Sequence, residues 1–434
     1  MLLILPIFIA KTVSFVSQLF NLGAGATWPG EISLNIDPQI LQKLLPQFRQ
    51  GIIIVAGTNG KTTTSLMITQ ILEKQGNVVV HNISGANLLN GIVSSCIQKS
   101  DWFGKINADW GVFEVDENSL PVVISNFQFP ISNKKIIIIL LNLFRDQLDR
   151  YGEVDVIAEK WERAFMQLPA DTKLILNADD PLIAHFGKKM GISSVVYFGI
   201  EEPKKFLKKK EHATDSTFCL NCGSRLTYSG IYFSHLGKWS CPKCKEKRPK
   251  PDYSTIHSPL PGLYNQYNTL AAFSTMAQLG ISEKEFNSLL SDFKPAFGRQ
   301  EEFEIANKKI KIFLSKNPTG FNASLRTVLE LKPKAMLLVL NDRIPDGRDV
   351  SWIWDVDFET IPKNTSVLVS GDRVYDMGLR IKYSGKTNLI IEQKLEDAIN
   401  IGLKKISVGE SLYVLPTYSA MLEVRKILSG RKIL

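Results

Sequence analysis

Gly57-Thr58-Asn59-Gly60-Lys61-Thr62-Thr63 places two glycines, a lysine and a run of hydroxyls between an apolar stretch, GIIIVA, and an apolar-periodic one, SLMITQILEKQG. That is the make-up of a loop that wraps phosphate. Glycines let backbone N–H groups close on the oxygens, the helix N-terminus adds a favourable dipole, and an ammonium neutralises the terminal phosphates. Lys61 takes that last role, and the Thr62 hydroxyl is placed to hold Mg²⁺. The general pattern has a glycine where Val55 stands, so the loop is a variant. A carboxylate from a neighbouring strand end completes such a metal site, and WGVFEVDE offers Glu114, Asp116 and Glu117. Strand alternation puts Glu114 and Asp116 on one side, and spacing alone does not choose between them.

A second constellation is made of sulfur. Cys219 and Cys222 are two residues apart, Cys241 and Cys244 likewise, with eighteen residues between the pairs. This is the spacing of a four-thiolate zinc ribbon, in which two knuckle turns close a tetrahedron around Zn²⁺. Metal binding then supplies folding energy to a segment with little apolar core, and a filled tetrahedron leaves no open position for substrate. Five cysteines in 434 residues do not make a disulfide scaffold, so a reducing, cytoplasmic setting fits. The fifth, Cys96 in VSSCIQK, lacks the sharp glycine-flanked turn of an exposed nucleophile and reads as a buried thiol.

These groups need a scaffold, and the β-branched runs describe one. WGVFEV, KIIIILLNL, KLILN and SVVYFG alternate with helical stretches after the phosphate loop, which indicates a mostly parallel sheet covered on both faces. Residues 204–250 break the rhythm. They hold twelve Lys/Arg against three Asp/Glu, so the net charge of +9 belongs to that insertion while the remaining chain balances. We read its lysines as a solvated face with no nucleic-acid role, and Tyr228, Tyr232, Phe233 and Trp239 as ribbon core. From Ile310 a new alternation begins, with AMLLVLND, SVLVSGD, NLII and LYVLPTY. The expected architecture is α/β: an N-terminal helical segment over 1–45, a P-loop ATPase domain over 46–298 carrying the ribbon at 204–250, and a smaller α/β domain over 299–434.

Met1 to Ala10 is apolar, but Lys11 stops the run at ten residues, about half of the ~20 that span a bilayer. The pattern predicts a helix ending near Leu22, either packed on the first domain or lying peripherally on a membrane surface.

Six blocks occur in a fixed order: GTNGKTT, EVDE, NLFRDQLDRYGE (142–153), LNADDP (176–181), LPGLYNQYNTLAA (260–272) and GRQE (298–301). Together they resemble the Mur ligase superfamily of ATP-dependent amide-forming enzymes, from about Gly51 to the C-terminus. Three further features are similar to the branch that forms the ligase subunit of lipid II isoglutaminyl synthase: the four-cysteine insertion, DGRDVSWIWDVDFE (346–359) and LPTYSAML (415–422).

The resemblance implies that Gly57, Thr58, Asn59, Gly60, Lys61, Thr62 and Thr63 hold the ATP phosphates, with Thr62 and Glu114 on Mg²⁺. Asn177, Asp180 and Asn268 would face adenosine, and Arg299 would reach ribose or phosphate. It further implies amidation of the D-glutamate α-carboxylate of the lipid II stem peptide, through an acyl phosphate, with ammonia from a heterodimeric glutaminase partner of GatD type. Asp349 would complete that partner's catalytic Cys-His pair. Two departures set the chain apart from amino-acid-adding relatives. Their DHLD block reads Asp146-Gln147-Leu148-Asp149, without the histidine tied to a second metal, and no counterpart of their carbamylated lysine is found. The stretch ahead of the loop, about fifty residues, is also short for their UDP-sugar-binding domain. The alternative is a Mur or folylpolyglutamate type of ligase that adds an amino acid to a carboxylate acceptor.

Overall fold

The β-branched runs become two six-stranded sheets in the computed structural model, which describes residues 3–19, 27–82, 85–127, 134–146, 154–189, 194–295 and 298–430. The first sheet is built from β1 (Gly51–Ala56), β2 (Val79–His81), β3 (Trp110–Val115), β4 (Lys135–Leu140), β5 (Lys173–Asn177) and β6 (Val195–Phe198). Their order is β2-β3-β1-β4-β5-β6, and every neighbouring pair is parallel. Continuous apolar strands suit a sheet covered on both faces. Ile52 and Ile54 pack with the Leu89–Lys99 and Val154–Phe165 helices, while Ile53 and Val55 pack with the Lys61–Lys74 and Leu263–Ala277 helices. The chain runs from β1 out to β2, returns through β3, then crosses to β4 on the other side of β1. That reversal opens a crevice at the carboxyl ends of β1, β3 and β4.

The N-terminal helix, Ile4–Leu19, buries Ile7 and Ala10 in the core of this domain, and Lys11 Nζ donates to the Ser100 carbonyl at 2.7 Å. Its other face leaves Leu5 and Phe8 exposed, with Phe8 5.6 Å from the half-exposed Trp102 ring. The helix is therefore packed and still presents an apolar outer face; the expected end near Leu22 lies outside the described residues. Among the described residues, no helix is long and apolar enough to cross a membrane.

The cysteine-bearing insertion carries a hairpin, β7 (Thr227–Phe233) and β8 (Leu236–Ser240). Its aromatics do not form a self-contained ribbon core, contrary to the sequence expectation. Tyr232 and Phe233 join the hydrophobic cluster of the parallel sheet, and only Trp239 and the partly buried Tyr228 pack beside the cysteines. Trp239 Nε1 donates to the Ala178 carbonyl at 3.0 Å, and Arg248 forms an ion pair with the fully buried Asp179. A segment with so few apolar residues of its own gains stability by packing on the larger core.

The second sheet contains β9 (Arg299–Ile305), β10 (Lys308–Phe313), β11 (Ala335–Val339), β12 (Ser366–Ser370), β13 (Leu389–Ile391) and β14 (Ser411–Pro416), in the order β13-β12-β11-β14-β10-β9. Only β9 runs antiparallel to its neighbour. It escapes the apolar pattern because an edge strand keeps charge on view: Lys309 and Lys311 both pair with Glu302 across the hairpin. β9 starts at Arg299, and the hairpin delivers that arginine to the boundary with the first sheet.

Candidate active site

The chain leaves β1 at Ala56 and enters the Lys61–Lys74 helix through Gly60, whose φ is 95°. A Cβ there would meet Asn268 Oδ1 at 2.1 Å, so both conformation and contact require glycine. Val55, at the position of the missing glycine, lies within β1 opposite Glu114; strand occupies what other loops give to the turn. Asn142 fixes the turn further: its Oδ1 accepts from Asn59 N at 2.8 Å, and its Nδ2 donates to Asn59 O at 3.0 Å. The loop is thus shaped before any ligand arrives.

Lys61 is buried, and its Nζ donates to Gly57 O at 2.5 Å, Thr58 O at 3.2 Å and Glu117 Oε2 at 3.0 Å. Burial pushes the Glu117 carboxyl upward, but the Lys61 and Lys316 charges outweigh it and hold the group below its ordinary range. Sequence alternation favoured Glu114 and Asp116. Glu117 engages the lysine because it stands past the end of β3, where pleating no longer dictates direction. Glu114 is 1% exposed; Gly85 N lies 3.4 Å from its Oε1, and its Oε2 has no partner among the described residues. A buried carboxylate oxygen without a donor is a place for a cation. The Asp116 carboxyl is raised by burial and by Glu117, and its Oδ1 already accepts from Asn118 N at 3.1 Å.

A cleft of about 360 Å³ lies between the two sheets, lined by Thr58 to Thr63, Glu114, Asp116, Asn268, Arg299 and Lys316, among others. The Arg299 guanidinium makes no hydrogen bond or ion pair among the described residues; burial lowers its pKa, opposed by the Glu114 charge. Asn177 and Asp180, expected to face adenosine, bond within the protein. Asn177 Nδ2 donates to Leu141 O at 2.8 Å and its Oδ1 accepts from Asp179 N, while Asp180 accepts from Leu143 N and caps the Pro181–Lys189 helix at Leu182 N. Both are wholly buried and lie beneath the cleft; their polar atoms are used in holding β5 to the loop after β4. Sequence reasoning missed Asn142 and Lys316 as cleft residues. The signal for Lys316 was SKNP directly after β10, where a polar run leaves a sheet at its carboxyl end.

Three acids flank the 346–359 stretch, and their fates differ. Asp342 pairs with Arg373, and the buried Asp346 accepts from Ser419. Asp349 is exposed; its Oδ1 accepts from Ser351 N at 2.8 Å, and the residue lines a smaller cavity. Cys96 is fully buried, and burial pushes its thiol far up, so it is no nucleophile.

The four other sulfurs converge within 4.8 Å of one another, with Cys219–Cys244 at 3.5 Å and Cys222–Cys241 at 3.4 Å. Zinc–sulfur bonds of about 2.3 Å give tetrahedral edges of roughly 3.8 Å, so the set fits Zn²⁺. Ser224, through its backbone N–H and then its hydroxyl, holds Cys222 down to about 6, while burial pushes Cys219 up to about 12.

Residues 55–276 match the Mur ligase middle domain, and residues 314–421 match the MurT ligase C-terminal family. The chain is 33% identical to the lipid II isoglutaminyl synthase (glutamine-hydrolyzing) subunit MurT of Staphylococcus aureus strain COL, over 86% of each chain. It is 32% identical to the same subunit of Streptococcus pneumoniae R6, over 96% of this chain and 95% of that one. The chain belongs to the MurT family of Mur ligases. Among solved structures, its fold resembles a pseudomurein peptide ligase from Methanothermus fervidus, with TM-score 0.65 and 21% identity over 91% of this chain and 81% of that one. It also resembles Thermotoga maritima MurF in complex with ADP, with TM-score 0.60 and 16% identity over 92% and 83%. These likenesses concern architecture alone.

In this MurT-family chain the unpartnered Glu114 oxygen and the glycine-lined loop are the features that fit magnesium nucleotide. Glu114→Gln is expected to weaken nucleotide retention in magnesium at least about tenfold, with folding intact, measured by calorimetry. Equal affinity in the variant would remove Glu114 from the metal site. Cys222 is less buried than Cys219 and Cys241, so Cys222→Ser removes a ligand with little loss of packing. It is expected to abolish the zinc found by atomic absorption and to lower the melting temperature by roughly 5 °C or more. A full complement of zinc in the variant would contradict the four-thiolate site.

Proposed function

We propose that this chain is the ATP-consuming subunit of a lipid II isoglutaminyl synthase in peptidoglycan biosynthesis. The reaction converts the α-carboxylate of D-glutamate in the stem peptide to the amide of D-isoglutamine. A carboxylate resists attack by nitrogen, so it must first be activated: its oxygen attacks the γ-phosphorus of ATP, ADP leaves, and an acyl phosphate results. Ammonia then attacks the carbonyl carbon and inorganic phosphate departs. Lys61 and Arg299 supply fixed positive charge on two sides of the cleft, where charge develops on the transferred phosphoryl group. Mg²⁺, held by Thr62 and Glu114, would neutralise phosphate charge.

The observation that carries this reading is the pairing, in one cleft, of a phosphate loop with a carboxylate oxygen and an arginine that have no partner among the described residues, within a chain whose cysteines are one buried thiol and four gathered in a metal-type cluster. With Cys96 buried and four thiols gathered into one cluster, ammonia derived from glutamine must come from a second polypeptide. A surface for such a partner lies on the helix that packs against the Ser351–Asp355 turn, two residues after Asp349. Tyr375, Leu379 and Tyr383 recur at four-residue intervals along the Val374–Tyr383 helix and are exposed, and the Trp354 ring packs 5.7 Å from Tyr383. An exposed apolar stripe and an exposed carboxylate in one domain suit a docking subunit whose histidine needs an acid. The exposed outer face of the N-terminal helix, with Trp102 and Phe103, suits contact with the membrane that carries the lipid substrate.

A ligase adding a free amino acid is the second reading, and Gln147 in place of the metal-linked histidine disfavours it; Gln147, Leu148 and Asp149 lie outside the described residues. Asp349→Asn in the two-subunit complex is expected to reduce glutamine-dependent amidation of lipid II by at least about 10²-fold. Ammonium-dependent amidation should stay within roughly twofold of the parent. Equal loss with both nitrogen sources, followed by mass spectrometry of the stem peptide, would refute the assigned role.

A further inference from the structure

Two cavities meet at one ion pair. The nucleotide cleft and the smaller cavity of about 90 Å³ that has Asp349 on its rim share Asp146 and Lys316 in their walls. Lys316, from the loop after β10, reaches across to the first domain and donates to Asp146 Oδ2. The side chain of Asp146 is 6% exposed, and its other oxygen, Oδ1, is buried with no hydrogen-bond donor among the described residues. Burial works against the Lys316 charge, but Asp146, Glu117 and Asp116 more than offset it and raise its pKa, so the lysine keeps its charge. A carboxylate with one oxygen held by an ammonium and the other buried without a donor among the described residues has room for an N–H from a ligand.

We propose that Asp146 Oδ1 is the binding site for ammonia, the second substrate, between the partner-facing cavity and the acyl phosphate. This rests on the amidation reading above. Ammonia is a small N–H donor, and a single buried acceptor in the wall shared by the two cavities suits it. The carboxylate aims the nitrogen lone pair away from itself by taking one N–H. The nitrogen attacks the carbonyl carbon of the acyl phosphate, the C–N bond forms, and the C–O bond to phosphate breaks with its electron pair. The surplus proton on nitrogen passes to Asp146 Oδ1 and from there to the departing phosphate, so the amide leaves neutral and the carboxylate is regenerated. Lys316 is the positioning residue: by donating to Oδ2 it fixes the carboxylate rotamer and leaves Oδ1 for the ligand.

The test is steady-state amidation of lipid II by the complex with ammonium chloride as nitrogen source, alongside nucleotide affinity and magnesium dependence. Asp146→Asn is expected to raise KM for ammonium at least about tenfold and to lower kcat, with a smaller change in nucleotide affinity. Hydroxylamine, uncharged at neutral pH and easier to deprotonate after attack, should be affected less, so hydroxamate formation by the variant should exceed amide formation. Should Asp146→Asn fold poorly, Asp146→Glu keeps the charge, displaces it by one methylene, and is expected to show the same rise in KM to a smaller degree. An unchanged KM for ammonium in either variant overturns the proposal, as does a raised magnesium requirement with ammonium saturation unaltered, which would make Asp146 a metal ligand. Should the parent complex form no isoglutamine with ammonium at all, the amidation reading itself fails instead.

Discussion

A lysine ammonium buried at the N-terminus of a helix is the constraint from which the rest of the site follows. The helix end is already positive, so Lys61 adds charge where charge is least welcome. The protein holds it with two loop carbonyls and with Glu117, a carboxylate kept ionised against burial by Lys61 itself and by Lys316 from the other domain. Such an arrangement is stable when anionic oxygens arrive, because the loop amides, the dipole and the ammonium then have a common partner. Arg299 and Lys316, both carried by the second sheet and its exit loop, bring further positive charge to the same boundary. Negative ligand in the cleft therefore also ties the two sheets together.

The cysteine insertion serves that boundary from behind. Its hairpin sends Tyr232 and Phe233 into the core under the parallel sheet, and Phe233 also lines the cleft. Asp179, held by Arg248, Tyr267 and Ile200 N, connects the insertion, β5 and the Leu263–Ala277 helix that presents Asn268. Zinc in the thiolate cluster would stabilise a segment on which the shape of the nucleotide wall depends, without touching the chemistry.

Much of this was legible from local signals. The phosphate loop and the cysteine spacing are contiguous patterns whose chemistry needs no knowledge of the fold, and apolar β-branched runs of five or six residues located most strands of both sheets. What the chain did not reveal is what only three dimensions create. Asn177 and Asp180 carry the right side chains next to the right strand, yet both hold β5 to its neighbour, a distinction of a few ångströms that spacing cannot make. Glu117 was invisible as the lysine's partner because it lies one residue beyond where alternation applies. β9 was hidden by its charges. Asp146 and Lys316 are 170 residues apart and meet only because two domains close on each other.

The central claim is that ATP in this cleft activates the substrate's own carboxylate. Lipid II labelled with ¹⁸O in the D-glutamate α-carboxylate, incubated with the complex, ATP, magnesium and glutamine, tests it directly through the isotopic composition of the released phosphate. An acyl phosphate route transfers one labelled oxygen to each phosphate formed per amide. Phosphate free of label, with amide still produced, would show that the carboxylate oxygen never bonds to phosphorus and would contradict the account.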